Sequence, residues 1–203
     1  MHLQSDNDVV PKPIGLIALT EYYFDIETSR TGVIAFAFQE IQHYAPVGGL
    51  QIWLIRTASD EKIMLKGVQD LGVLDWREER RWRFVPVGTN LRYDFTVLID
   101  RMTATGVRRW TPREILALFE EKPRKDIHDT LVLMNDGEFK GSGLDTFTTL
   151  KTVSSKEVPK MWDRRDLPSI EKYIRDDAAA FFDVYGKLGP ALSALGKKIR
   201  PRR

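Results

Sequence analysis

The sequence contains no cysteine, which excludes disulfides, thiolate zinc sites and cysteine nucleophiles. Any metal ion would therefore be held by oxygen or by one of the three histidines. No apolar run is long enough for a membrane helix, and the opening MHLQSDNDVV lacks the basic and apolar regions of a secretory signal. A cytoplasmic location with no membrane partner is therefore the expectation. Internal repeats and low-complexity linkers are missing, and a formal net charge of +2 does not by itself announce a nucleic-acid partner.

What is present fits one globular domain: 203 residues, 42% hydrophobic and 30% charged, enough to bury a proper core. Basic residues cluster locally, in WREERRWR (76–83), at Arg108 and Arg109, and in GKKIRPRR, where five of the last seven residues are Lys or Arg. Such a tail is either a solvated end or a phosphate-binding arm. Residues 1–13, polar and interrupted by proline, read as a loose lead-in; 14–190 read as the domain and 191–203 as a basic tail.

The order of elements is α/β. Segments 15–26, 32–41 and 50–57 are rich in Ile, Val, Phe and Tyr and are separated by Ser-Arg-Thr-Gly and Pro-Val-Gly-Gly, so three consecutive strands are expected. A helix over about 59–71 and a fourth strand over 81–88 follow. Leu91, Phe95, Leu98 and Met102 then recur at helical spacing, and Thr111 and Pro112 suit the cap and first turn of the next helix. Segment 126–134 suits a strand or a helix equally, and 142–151 a short helix. The last helix is expected from Asp166–Ser169 to about Leu188, with Ile170, Ile174, Phe181, Tyr185 and Leu188 on one stripe.

Three clusters carry possible chemistry. In YYFDIETSR, Asp25 and Glu27 alternate with Phe24 and Ile26, so a strand would present both carboxylates on one face. Adjacent carboxylates repel and raise each other's pKa unless a cation joins them, and a hard divalent ion, Mg²⁺ or Mn²⁺, is the natural occupant. In VGTNLRYDF, Asn90 and Asp94 share a helix face; the plain alternative is an N-cap and a first-turn acid. In EKYIRDDAAAFF, Tyr173 and Asp177 lie one helical turn apart beside the apolar stripe, and here the plain alternative is a core-edge tyrosine and a surface acid.

Taken in order, FDIET, N-x-x-Y-D and Y-x-x-x-D resemble the three motifs of the DEDD, or DnaQ-like, 3′–5′ exonucleases of the ribonuclease H-like fold, over roughly residues 18–190. The DEDDh branch has a histidine five residues before the last aspartate, where this chain has Lys172. The DEDDy branch has a tyrosine four residues before it, which Tyr173 matches. YIRDDA and the preceding HDTLVLMNDGEFKGSGLDTFTTLK are also similar to the proofreading domains of family B DNA polymerases, although nothing in this chain leaves room for a polymerase palm. Thr89 stands where many members carry another residue, a departure that removes no metal ligand.

The resemblance implies a ribonuclease H-like mixed sheet flanked by helices and a two-metal-ion hydrolysis of phosphodiester bonds. Asp25, Glu27 and Asp177 would hold one Mg²⁺ or Mn²⁺, Asp25 and Asp94 a second, and Tyr173 would orient the attacking water. Asn90, Thr28 and Tyr93 would contact the substrate strand, with Phe95 and Trp162 as further stacking candidates by type. His128 lies outside every motif and reads as structural. The implied substrate is single-stranded DNA or a DNA 3′ end, released as nucleoside 5′-monophosphates. The alternatives are an exoribonuclease and a non-catalytic nucleic-acid-binding subunit of a replication or repair complex.

Overall fold

The computed structural model of the chain describes residues 20–151 and 153–199. The lead-in 1–13, the first residues of the strand expected at 15–26 and the end of the basic tail, 200–203, lie outside the described residues. The fold is mixed α/β, a five-stranded sheet in the order β3-β2-β1-β4-β5 with helices on both faces.

Strand β1, Glu21–Thr28, pairs antiparallel with β2, Val33–Gln42, which pairs antiparallel with β3, Ala45–Leu54. On its other side β1 runs parallel to β4, Val85–Gly88, and β4 to β5, Lys125–Asp126. Both faces of β1 are buried, as a sheet covered on two sides requires. Phe24 meets Phe36 and the helix residue Phe95, whereas Tyr23, on the opposite face with Asp25 and Glu27, meets Phe181 and Phe182.

The first face is covered by α1, Glu61–Leu71, and α2, Leu91–Ala104. At the start of α1 the buried Glu61 carboxylate accepts from the Val33 N–H at 2.8 Å and from Arg101 at 2.8 and 2.6 Å, tying the β1–β2 turn to both helices. Helix α3, Pro112–Glu121, begins as expected, with Thr111 and Glu114 forming a reciprocal capping box. At its end Lys122 is buried and donates to the carbonyls of Gly72, Arg81 and Phe84 at 3.1, 3.0 and 2.7 Å. Burial pushes its ammonium down to about 7, and Asp75 opposes that shift.

Segment 126–134 resolves into both alternatives: its first residue ends the two-residue β5, and α4 takes up His128–Met134. The helix expected at 142–151 shrinks to α5, Leu144–Phe147, and α6, Val158–Asp163, was not expected. Helix α7 runs from Leu167 to Ile199, about 50 Å long at 1.5 Å per residue. It passes through Pro190, so 191–199 extend a domain helix instead of opening the separate tail expected there. Among the described residues, no helix is long and apolar enough to cross a membrane.

Two expected boundaries move. The fourth strand begins at Val85 rather than 81, because 78–83 form turns. Pro46–Gly49, expected as a turn, belong to β3; the turn is His43-Tyr44, both with positive φ (52° and 69°). Positive φ is costly for such residues and is sustained by tertiary contact. The Tyr44 ring packs edge-on against Tyr185 at 5.7 Å and fills a notch on α7 at Gly189, where a Cβ would overlap it.

Candidate active site

The structure brings Asp25, Glu27, Asp94, Tyr173 and Asp177 to one place, from β1, α2 and α7. Asp25 and Glu27 share a face of β1, and their partners across β2 are Ala37 and Ala35, whose small side chains leave room beside the carboxyls. Chain geometry brings α2 alongside: β4 ends at Gly88, where a Cβ would fall 2.7 Å from the Phe24 carbonyl, so only glycine permits this close approach. Asp94 then sits in the first turn of α2 and points inward, 6% exposed; Glu27 and Asp177 are 8% and 7% exposed. A surface acid, the plain alternative for Asp177, would not be so enclosed, and Asp94 is a first-turn acid as its own alternative had it, but a buried one.

Asn90 occupies the N-cap position of α2 but does not cap it. It adopts a left-handed backbone (φ 59°, ψ 40°) and its side chain makes no capping bond. The Asp126 carboxylate caps instead, accepting from the N–H groups of Asn90 and Leu91 at 2.8 and 2.7 Å and from His128 at 3.0 Å. One residue at the end of β5 thus fixes the starts of two helices.

The electrostatics follow from burial. Desolvation, then the Asp177 charge, pushes the Asp25 carboxyl up to about 7, against Lys151 and hydrogen bonds from the Ile26 N–H and Glu27. Glu27 and Asp94 are raised well above their ordinary range, again by burial first and then by Asp25. A hydrogen bond between two carboxyls needs a proton on one of them, so the cluster holds protons near neutrality. Tyr173 is raised by burial and by Glu27, Asp177 and Asp25, which keeps it a hydroxyl donor.

Among the described residues one cation meets these acids. The Lys151 ammonium ion-pairs with Asp177 and lies 5.4 Å above the Tyr173 ring, its side chain 18% exposed. Asp94 Oδ2 is shielded from solvent without a hydrogen-bond partner, as is the Tyr23 hydroxyl on the same face of β1 as Asp25. In this side-chain arrangement no three His, Asp or Glu residues among those described converge into a finished ion cage. The donor set is nonetheless all carboxylate oxygen and includes a buried oxygen with no partner, which suits a hard divalent cation.

Beside the acids opens a cleft of about 450 Å³, lined by Asn90, His128, Asp145 and Lys151 among others. Of the residues expected to touch substrate, Asn90 lines this cleft with an exposed side chain. Thr28 stands partly exposed at an irregularity that ends the β1–β2 pairing, outside the cleft lining. Tyr93 is 53% exposed on the first turn of α2, also outside it. Phe95 and Trp162 are corrections: Phe95 is buried against Phe24 and Phe119, and Trp162 is buried under Arg165, so neither ring is free to stack on a base. His128, expected to be structural, lines the cleft and leans on Phe139 at 6.0 Å.

Sequence reasoning missed Lys151, Asp126 and Tyr23. Tyr23 was within reach of it, since strand alternation puts it on the face of Asp25 and Glu27. Lys151 and Asp126 carried no spacing signal, because each reaches the site through tertiary structure. No family model, curated protein or solved structure matches the chain.

Proposed function

We propose that the chain is a divalent-metal-dependent 3′–5′ exonuclease of the DEDDy type with a ribonuclease H-like fold, which hydrolyses single-stranded DNA to nucleoside 5′-monophosphates. The observation that carries this reading is the gathering of four largely buried carboxyls and one buried tyrosine hydroxyl from β1, α2 and α7 beside an open cleft. Isolated buried carboxylates are expensive, and three with raised pKa values gathered beside a cleft support a functional site. The sheet supports the reading too: three antiparallel strands followed by two parallel ones, each leading into a helix, is the arrangement the resemblance calls for.

Asp25, Glu27 and Asp177 would hold one Mg²⁺ or Mn²⁺ and Asp25 with Asp94 a second; such ions supply Lewis acidity and neutralise developing charge on a phosphoryl group. The chain's own groups supply position. Asn90 faces the cleft from the end of α2, and the Asp126 cap holds that helix end in place. Tyr173, kept protonated, donates a hydrogen bond and so orients a water or phosphate oxygen instead of removing its proton. Lys151 brings a positive charge to the cleft wall, where an anionic strand would pass.

The test uses DNA and RNA strands of one sequence, labelled at either end. The wild-type chain is expected to release mononucleotides from the 3′ end of DNA only with Mg²⁺ or Mn²⁺, and Asp25→Ala to abolish release. Unchanged degradation by Asp25→Ala would remove the site assignment. Degradation confined to RNA would make the chain an exoribonuclease, and tight binding without degradation would make it a binding subunit.

A further inference from the structure

A run of one charge sign repels itself and often serves as an interaction arm. After Asp183 the chain carries no acidic residue but six basic ones, Lys187, Lys197, Lys198, Arg200, Arg202 and Arg203. The first is matched by Asp183 in an i, i+4 pair at 2.7 Å. Among the described residues no carboxylate pairs with Lys197 or Lys198, so the charge accumulates toward the end of the sequence.

The fold decides where that charge is held. Helix α7 carries 191–199 out of the domain as helix, with every residue from Pro190 to Leu195 exposed, and Lys197 and Lys198 exposed beyond them. Lys197 lies twenty residues, about 30 Å along the helix axis, from Asp177, so this is a different place from the acidic cleft. The wall at its root offers no spare acid to neutralise it. Leu192 and Ser193 border a cavity of about 380 Å³ there; in its lining Lys125 is matched by Glu21, and Asp126, next to Arg124, is occupied by three helix N–H groups.

We infer that this end of α7, with residues 200–203 that follow it in sequence, is an arm that binds the phosphate backbone of a nucleic-acid strand. Five cations without an acid among them call for a polyanion, and the planar forks of the three arginines suit phosphate oxygens. A second copy of the chain fits poorly, because it would set the same unmatched charges against each other. Protein hot spots and membrane-surface helices both draw on aromatic anchors, and no aromatic residue follows Tyr185. Leu192 and Leu195, 45% and 51% exposed, are the large apolar groups described on the arm, too few for an apolar face. The choice of nucleic acid among polyanions rests on the nuclease reading, whose substrate is such a strand.

The full chain in EDTA is titrated into a fluorescein-labelled single-stranded DNA between about 50 and 200 mM salt, with anisotropy as the readout. One variant combines Lys197→Gln, Lys198→Gln, Arg200→Gln, Arg202→Gln and Arg203→Gln; a second, Lys197→Arg with Lys198→Arg, keeps the charge. The Gln variant is expected to bind at least about tenfold more weakly at about 100 mM salt, with the slope of log affinity against log salt shallower by about 3, at about 0.7 per phosphate contact of a single strand. The Arg variant should match the wild type, and circular dichroism should show all three folded alike. Unchanged affinity and slope in the Gln variant would leave only a solvated end and overturn the inference. It is equally overturned if polyglutamate at equal charge displaces the wild type as well as unlabelled strand does, if the wild type binds no strand, or if the Gln changes abolish binding to phosphatidylserine vesicles while binding to DNA persists. The titration needs no catalysis, so a chain that holds strands by this arm without cutting them would keep the inference and refute the nuclease.

Discussion

Replacing Asp25 by Asn should make the metal-free protein more stable near neutral pH. In the folded chain burial raises the Asp25 carboxyl from 3.8 to about 7. A carboxyl whose folded pKa is raised binds more protons folded than unfolded, so its contribution is complete below the unfolded value and is lost as pH climbs through the folded one. At about 1.36 kcal/mol per unit the loss amounts to about 4 kcal/mol between about pH 4 and pH 8. Glu27 and Asp94 are shifted in the same direction, so the slope belongs to the cluster. Against a typical total of about 5–15 kcal/mol this is large. Urea unfolding in EDTA should therefore show the wild-type midpoint falling as pH rises, with a shallower fall for Asp25→Asn and the two proteins converging near pH 4. Adding Mn²⁺ at about pH 8 should restore the wild type by mass action and leave the variant unmoved. A wild-type midpoint in EDTA that rises from pH 5 to 8, or an Asp25→Asn protein less stable than wild type at pH 8, would refute the reasoning.

Lys151→Met removes the ammonium paired with Asp177, so Mn²⁺ affinity measured by calorimetry should rise by about tenfold, roughly 1.4 kcal/mol; equal or weaker affinity would contradict a competing role for the lysine. Lys122→Met strands three backbone carbonyls and should cost about 3–6 kcal/mol in urea unfolding, a loss under about 1 kcal/mol counting against the tie described. Asp126→Ala uncaps α2 at two N–H groups and should destabilise by about 1–2 kcal/mol, visible as faster amide exchange at Leu91; unchanged exchange would assign the cap elsewhere.

The sequence made legible those parts of the fold in which local pattern and tertiary environment agree. Strands β1 and β2 are runs rich in Ile, Val, Phe and Tyr separated by the turn residues Ser29–Gly32, and α3 announces itself through Thr111, Pro112 and Glu114. The hairpin tip was hidden because His43 and Tyr44 are poor residues for positive φ, and only the notch on α7 makes them tolerable. The start of β4 was overextended because Trp82 and Phe84 resemble strand residues by type, while the chain there is held in turns near carbonyls that Lys122 gathers. In the site, the acids were visible because each motif is contained within a few residues. Asp126 and Lys151 act on partners 35 and 26 residues away, at Leu91 and Asp177, and no short pattern encodes that.

The seat of Tyr44 at Gly189 is also a mechanical device. Helix α7 is one rod, and Gly189 lies twelve residues, about 18 Å, beyond Asp177. A ring lodged in a glycine notch works as a locating pin: the rod cannot slip one turn, about 5.4 Å, along the sheet without evicting it. The height of Asp177 over β1 is therefore set about 18 Å further along α7, by a hairpin that supplies none of the carboxyls. A bulky side chain at position 189 would throw the carboxyls out of alignment while leaving every one of them in place.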